Sequence, residues 1–100
     1  SCGVDPAVLA SDGAVSEAVA RQLAEGIRRA VGSDLGVAVT GIAGPEGGSA
    51  EKPVGTVHIA VASSEKTTHR MLLLPGDRER VMRFSVGAAL ELLRRCLLST

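Results

Sequence analysis

A single aromatic residue, Phe84, stands among 100 residues, and the chain has neither tryptophan nor tyrosine. Without large rings, a core must be assembled from many small aliphatic side chains. At 45% hydrophobic residues, with Ala, Val and Leu dominant, the chain has enough of them for one domain. Small side chains let backbones approach closely, which suits helices laid tightly on a sheet. The same scarcity of rings, with eleven acidic against eleven basic residues, argues against nucleic acid as a partner, since neither a stacking platform nor a basic stripe is available. The arginine pairs at 28–29 and 94–95 read instead as solvated helix ends, where cations are favoured.

Cysteine is also scarce. Cys2 and Cys96 show neither metal-ligand spacing nor the density of a disulfide scaffold, so a reducing cytoplasm is the expected compartment and Cys96 is expected to fill core space. No run approaches the roughly 18 apolar residues of a membrane span, and no charged leader precedes an apolar signal region. A soluble, cytoplasmic protein is expected. His58 and His69 fall on neighbouring expected strands, but no third ligand lies at useful spacing, so structural roles are expected rather than a zinc site. Neither a Gly-x-Ser-x-Gly elbow nor a recognisable Cys-His pattern is present.

What the chain does contain is well punctuated. In DPAVLASDG, Asp5 can cap a short helical turn with Pro6 at its first position and Gly13 at its end. Ser16 can cap a helix in which Val19, Leu23, Ile27 and Val31 recur every fourth residue, and Gly32 is placed for a left-handed stop. Residues 35–40, LGVAVT, lack polar alternation and read as a strand covered on both faces. Residues 54–62 and 67–74 read as two more strands joined by an antiparallel turn at 63–66. Asp77 can cap a last helix with two apolar rows, Val81-Ser85-Ala88-Leu92-Cys96 and Met82-Val86-Ala89-Leu93-Leu97, wide enough to lie on a sheet. Helix, strand, strand, strand, helix predicts an α/β layered sandwich, a central sheet packed between helices. The absence of a leading strand makes it look like the later part of a larger fold, lacking its N-terminal part.

Chemistry concentrates in TGIAGPEGGSAEKPVGT, residues 40–56, which leave the end of the first strand. Glycines 41, 44, 47 and 48 would let backbone N–H groups approach an anion, and Thr40 adds a hydroxyl. The stretch lacks a P-loop ending and leads into a strand rather than a helix, so spacing alone also allows a plain connection. Gly76-Asp77-Arg78-Glu79-Arg80 places two guanidinium groups at a helix start, where a phosphate or carboxylate would explain them better than the macrodipole does.

Taken together, DGAVSEAVARQLAEG, VAVTGIAGPEGGSAEKPVGTVHIAVA and PGDRERVMRFSVGAALELL resemble the C-terminal domain of the competence-damage-inducible protein family, CinA, from about Gly3 to Leu98. The family includes nicotinamide-nucleotide amidases. The resemblance therefore implies a layered α/β fold, homo-oligomeric assembly, and hydrolysis of the carboxamide of the pyridine nucleotide nicotinamide mononucleotide to the carboxylate with release of ammonia. It implies no metal and no organic cofactor. On the matched positions, Thr40, Gly41, Ile42, Ala43 and Gly44 are the candidates for contacts to substrate, and Arg78 or Arg80 for its phosphate.

Two family motifs are missing from these 100 residues. One is Ala-Glu-Ser-Cys-Thr-Gly-Gly, whose serine is the proposed nucleophile; the other resembles Tyr-Ser-Asn-x-x-Lys, whose lysine is proposed to activate it. Here Gly3-Val4 matches the Gly-Val that follows them. Either Ser1-Cys2 replaces the usual apolar pair before Gly-Val, or it is the remnant of Glu-Ser-Cys, in which case Ser1 is the nucleophile. No lysine matches the activating one, since Lys52 belongs to the EKPVG segment. The chain as it stands is then expected to hold substrate rather than attack it.

Overall fold

The computed structural model describes residues 4–8, 13, 15–41 and 55–98. Residues 6–8 form a helical turn in which the Ala7 N–H donates to Asp5 Oδ1 at 2.8 Å, the cap expected from Asp-Pro. Helix α1, Glu17–Val31, starts where Ser16 Oγ accepts from the Val19 N–H at 3.2 Å. It stops at Gly32, whose φ of 71° is the left-handed conformation that a Cβ disfavours. The N–H groups of Gly32 and Ser33 both return to the Arg28 carbonyl, at 2.9 and 3.1 Å, so the helix end is satisfied.

Strands β1 (Gly36–Gly41), β2 (Thr56–Ala62) and β3 (Thr67–Leu73) form one antiparallel sheet in the order β1-β2-β3. Gly36 faces Ala62 and Thr40 faces His58 across the first pair; Ala62 faces Thr67 and His58 faces Met71 across the second. The turn between β2 and β3 is built by Ser63. Its N–H donates to the Lys66 carbonyl at 2.8 Å, and its Oγ accepts from the N–H groups of Glu65 and Lys66 at 3.3 and 3.1 Å. A serine side chain thus supplies what an Asn-Gly pair would otherwise supply.

Strand β2 is buried at every position, and its alternation separates two cores. Val57, Ile59 and Val61 pack against Val81, Ala89 and Leu92 of helix α2, Arg78–Leu98. On the other face, Ala60 and Ala62 join Ala38 of β1 against Ala20 and Ala24 of α1. Branched side chains fill the wider gap, and alanines fill the narrow one. The gap is narrowest at Gly36, where a Cβ would run into the backbone carbonyl of Ala24 and sit 3.0 Å from Arg28 Cβ. The result is a sheet between two helices, as the pattern predicts.

Two expectations need correction. Strand β1 is covered on its α1 face at Gly36 and Ala38, but Val39, on the other face, is 44% exposed because α2 lies chiefly over β2. Of the two apolar rows on α2, the first packs: Val81, Ser85 and Leu92 are buried, and Ala88 and Cys96 are half-buried against the core. Ser85 is tolerated there because its Oγ donates to the Val81 carbonyl at 2.6 Å. In the second row only Ala89 is buried, while Met82, Val86 and Leu97 are exposed. Three strands are too narrow to cover both rows. At the far end of α2, Arg94 and Arg95 both pair with Glu91, and the Arg94 hydrogen bonds pull that carboxyl down to about 2, so these arginines are a solvated helix end as expected. No helix among the described residues is long and apolar enough to cross a membrane.

Candidate functional site

Strand β1 delivers Thr40 and Gly41 to one end of the sheet. Thr40 Oγ1 is buried there and finds no hydrogen-bond partner among the described residues. A buried hydroxyl left unpaired costs about 1–3 kcal/mol, so its position calls for an explanation. Gly41 faces Val57, and a Cβ on it would lie 3.1 Å from Val57 Cγ2 and 3.3 Å from the Thr56 carbonyl, closer than ordinary contact. The chain returns at Gly55, with φ at 92° and no room for a Cβ beside the Leu74 carbonyl; the Leu74 N–H donates to the Gly55 carbonyl at 2.9 Å. The last described residue before 42–54 and the first after it are therefore both glycines whose backbones touch their neighbours. Gly55 was not among the glycines that the anion-nest reading singled out, yet its φ and its contact allow no other residue.

Helix α2 begins at this same end of the sheet. Asp77 caps it, with Oδ1 accepting from the Arg80 N–H at 2.9 Å and its carbonyl from the Val81 N–H at 2.9 Å. Val39, Gly41 and Val57 then line, with Val81, Met82 and Val86, an apolar groove of about 230 Å³. Arg78 and Arg80 are exposed on the turn immediately before Val81. The Arg80 guanidinium carbon lies 5.6 Å from the Phe84 ring centroid, a cation–π contact that holds this side chain along its own helix. The structure thus brings Thr40 and Gly41 to the same end of the sheet as the turn bearing Arg78 and Arg80. Ser1, Ile42, Ala43 and Gly44 lie outside the described residues.

The rule that ligands sit beyond the carboxyl ends of parallel strands does not account for this place, because β1 runs antiparallel to β2. Convergence of β1 and the start of α2 accounts for it instead. A larger hollow, of about 670 Å³, lies at the opposite end of the sheet among Asp34, Ser64, Lys66 and Cys96. It adjoins the solvent-facing hairpin turn rather than any of the candidate residues, so the smaller groove, lined by Gly41 at the end of the sheet that Thr40 shares, has the better claim.

On the α1 face, to which Thr40 also points, runs a polar chain that the sequence reading did not assemble. His58 Nδ1 and His69 Nε2 are 2.9 Å apart, with the rings stacked at 5.2 Å between centroids. His69 Nδ1 faces Glu17 Oε1 at 3.6 Å, and Arg21 donates to Glu17 at 2.8 Å and to the Thr67 carbonyl at 2.7 Å. Thr67 Oγ1 donates to Glu25 at 2.6 Å. The Arg21 hydrogen bond, then the field of His69, lowers the Glu17 carboxyl. Burial, only partly offset by Glu17, lowers His69 below its usual 6.5. No group of three or more potential metal ligands occurs among the described residues.

The depressed His69 has a consequence for stability. Between its folded value and 6.5 the unfolded chain binds more protons, so its contribution is complete above 6.5 and lost as pH falls through the folded value. Urea midpoints measured from about pH 8 down to about pH 5 are expected to fall below 6.5, and less steeply in His69→Gln. An identical slope in the variant would contradict the assignment.

Known proteins match both the sequence and this architecture. The family model described as the CinA C-terminal domain matches residues 1–97. The chain belongs to the CinA C-terminal domain family. A CinA-like protein of Anaeromyxobacter dehalogenans (strain 2CP-C) is 57% identical over 95 residues, which are 95% of this chain and 23% of that protein. A CinA-like protein of Geotalea daltonii is 55% identical over 97 residues, 97% of this chain and 24% of that protein. Among solved structures, the competence/damage inducible protein CihA of Agrobacterium tumefaciens superposes with a TM-score of 0.89 at 42% identity, over 94% of this chain and 58% of that one. The competence damage-inducible protein A of Klebsiella pneumoniae gives 0.89 at 38% identity, over 95% and 59%. This CinA domain thus spans about a quarter of the length of its curated relatives and a little over half of the solved chains.

Proposed function

We propose that this CinA domain holds nicotinamide mononucleotide at the Thr40–Gly41 end of the sheet, as the substrate-holding part of a nicotinamide-nucleotide amidase in pyridine nucleotide recycling. The supporting observation is the convergence at one end of the sheet of a buried Thr40 hydroxyl with no partner among the described residues, of Gly41 and Gly55, whose backbones touch their neighbours, and of the α2 turn bearing Arg78 and Arg80. A hydroxyl can donate to a carbonyl or phosphate oxygen, and a guanidinium suits a phosphate. In the reaction, water oxygen ends on the carbonyl carbon, the carbon–nitrogen bond breaks and ammonia leaves. The role of this end is to fix the substrate for attack.

A second reading, nucleotide binding without hydrolysis, is favoured by one feature. Among the described residues no activated nucleophile is assembled: Ser16 caps α1, Ser85 donates to Val81, and Lys66 sits exposed on the hairpin turn. Incubating the full-length protein with nicotinamide mononucleotide and following ammonia and nicotinate mononucleotide separates the two. Equal release of both is the expected result. Calorimetric binding without ammonia would favour the second reading, and neither binding nor release would contradict both.

A further inference from the structure

His58 and His69 lie on the α1 face of the sheet, across it from the groove. His58 is 9% exposed and the His69 side chain 12%, so water does little to screen either ring. Among the described residues, charged groups reach the pair from α1: Glu17 at 3.6 Å from His69 Nδ1, Arg21 bonded to Glu17, and Glu25 held by Thr67. From the strands, each imidazole faces the other.

Two imidazoles joined by one nitrogen each hold a single hydrogen between them. In the neutral pair, the arrangement that points an N–H from His69 Nδ1 toward the Glu17 carboxylate leaves His69 Nε2 as acceptor and His58 Nδ1 as donor. One added proton then goes to His58 Nε2 and preserves the bridge. A second would put hydrogens on both facing nitrogens and break it. Over the range in which two separate histidines take two protons, this pair takes one. That proton turns His58 Nε2 from acceptor into donor, on the residue directly across the sheet from Thr40. Facing pairs share one side of the sheet, so the Thr40 hydroxyl lies on the same face as the imidazole.

We propose that His58 and His69 titrate as one single-proton unit whose charge is felt at Thr40, which makes them positioning residues for whatever binds there. A positive unit favours an anion. For nicotinamide mononucleotide this rests on the function proposed above; for the titration and its effect on Thr40 it does not.

The test follows imidazole carbon signals and the Thr40 amide of the isotopically labelled full chain by NMR between about pH 5 and pH 8. Both rings are expected to report one shared midpoint, and the Thr40 amide to move with it. In His69→Gln, His58 is expected to titrate alone at a different midpoint and the Thr40 amide to move with that new midpoint; in His58→Asn, which keeps His69, the Thr40 response is expected to disappear. Independent midpoints that ignore loss of the partner, or a Thr40 amide that does not follow them, would overturn the proposal. In a parallel titration, nicotinamide mononucleotide is expected to bind about five-fold or more tightly at the acidic end, beyond any change seen in His58→Asn. Failure of this nucleotide to bind while the Thr40 response persists upholds the unit and counts against the amidase reading. Binding that persists with no Thr40 response does the reverse.

Discussion

Thr40→Val is expected to leave the domain as stable as before or more stable, while nucleotide affinity falls by about ten-fold or more. The two effects have one cause. In the free protein the Thr40 hydroxyl is buried without a partner among the described residues, so exchanging it for a methyl group of similar shape removes a desolvated polar group at no loss of packing. In the complex the same hydroxyl is free to donate to the ligand, and a bond to a charged ligand is worth about 1.5–3 kcal/mol. Urea denaturation and calorimetric titration with nicotinamide mononucleotide read the two quantities separately. A destabilised variant with unchanged affinity would make Thr40 a structural residue.

Gly36→Val is expected to cost about 3 kcal/mol, the upper end of what an overpacked core costs, or to prevent folding altogether. The obstacle is backbone: the new Cβ would meet the Ala24 carbonyl of α1, which cannot swing aside as a long side chain can. To admit it, α1 would have to lift off β1, opening the layer of Ala20, Ala24, Ala38, Ala60 and Ala62. Gly87→Ala makes an instructive contrast. That glycine is exposed within α2 with nothing within 4 Å of its added Cβ, so the change is expected to stabilise by about 0.8–1 kcal/mol, the helix-propensity difference. A Gly36→Val variant within about 1 kcal/mol of the parent would contradict the close packing of α1 on β1.

Local signals made much of this architecture legible in the sequence. Ser16, Gly32 and Asp77 act at the helix ends where their side chains or lack of one suggested, because capping depends on a few neighbouring backbone groups. Alternation along β2 was legible for the same reason. The exposed second row of α2 was not, since the helical period reports how wide an apolar face is and not how wide a sheet will meet it. Val39 is open on the same account.

The candidate site was legible only in part. Thr40 and the α2 turn could be named from their wording, but the sequence could not say that they meet at one end of an antiparallel sheet. The histidine pair was within reach. Once the turn at 63–66 pairs Ala62 with Thr67, His69 must face Ala60, two positions from His58 on the same face. Giving the histidines separate structural roles missed what the register supplies. Glu17, an acid in the first turn of α1 where the helix dipole favours it, also serves as the acceptor behind the pair.

The central claim, that ligand is held where β1 ends and α2 begins, is tested most directly by mapping backbone amide shifts as nicotinamide mononucleotide is added. The account predicts saturable shifts concentrated at Thr40, Gly41, His58 and the Arg78–Val81 turn, with Asp34, Ser64 and Lys66 at the hairpin end unmoved. Shifts gathered around Asp34, Ser64 and Lys66, with Thr40 and Gly41 silent, would contradict it.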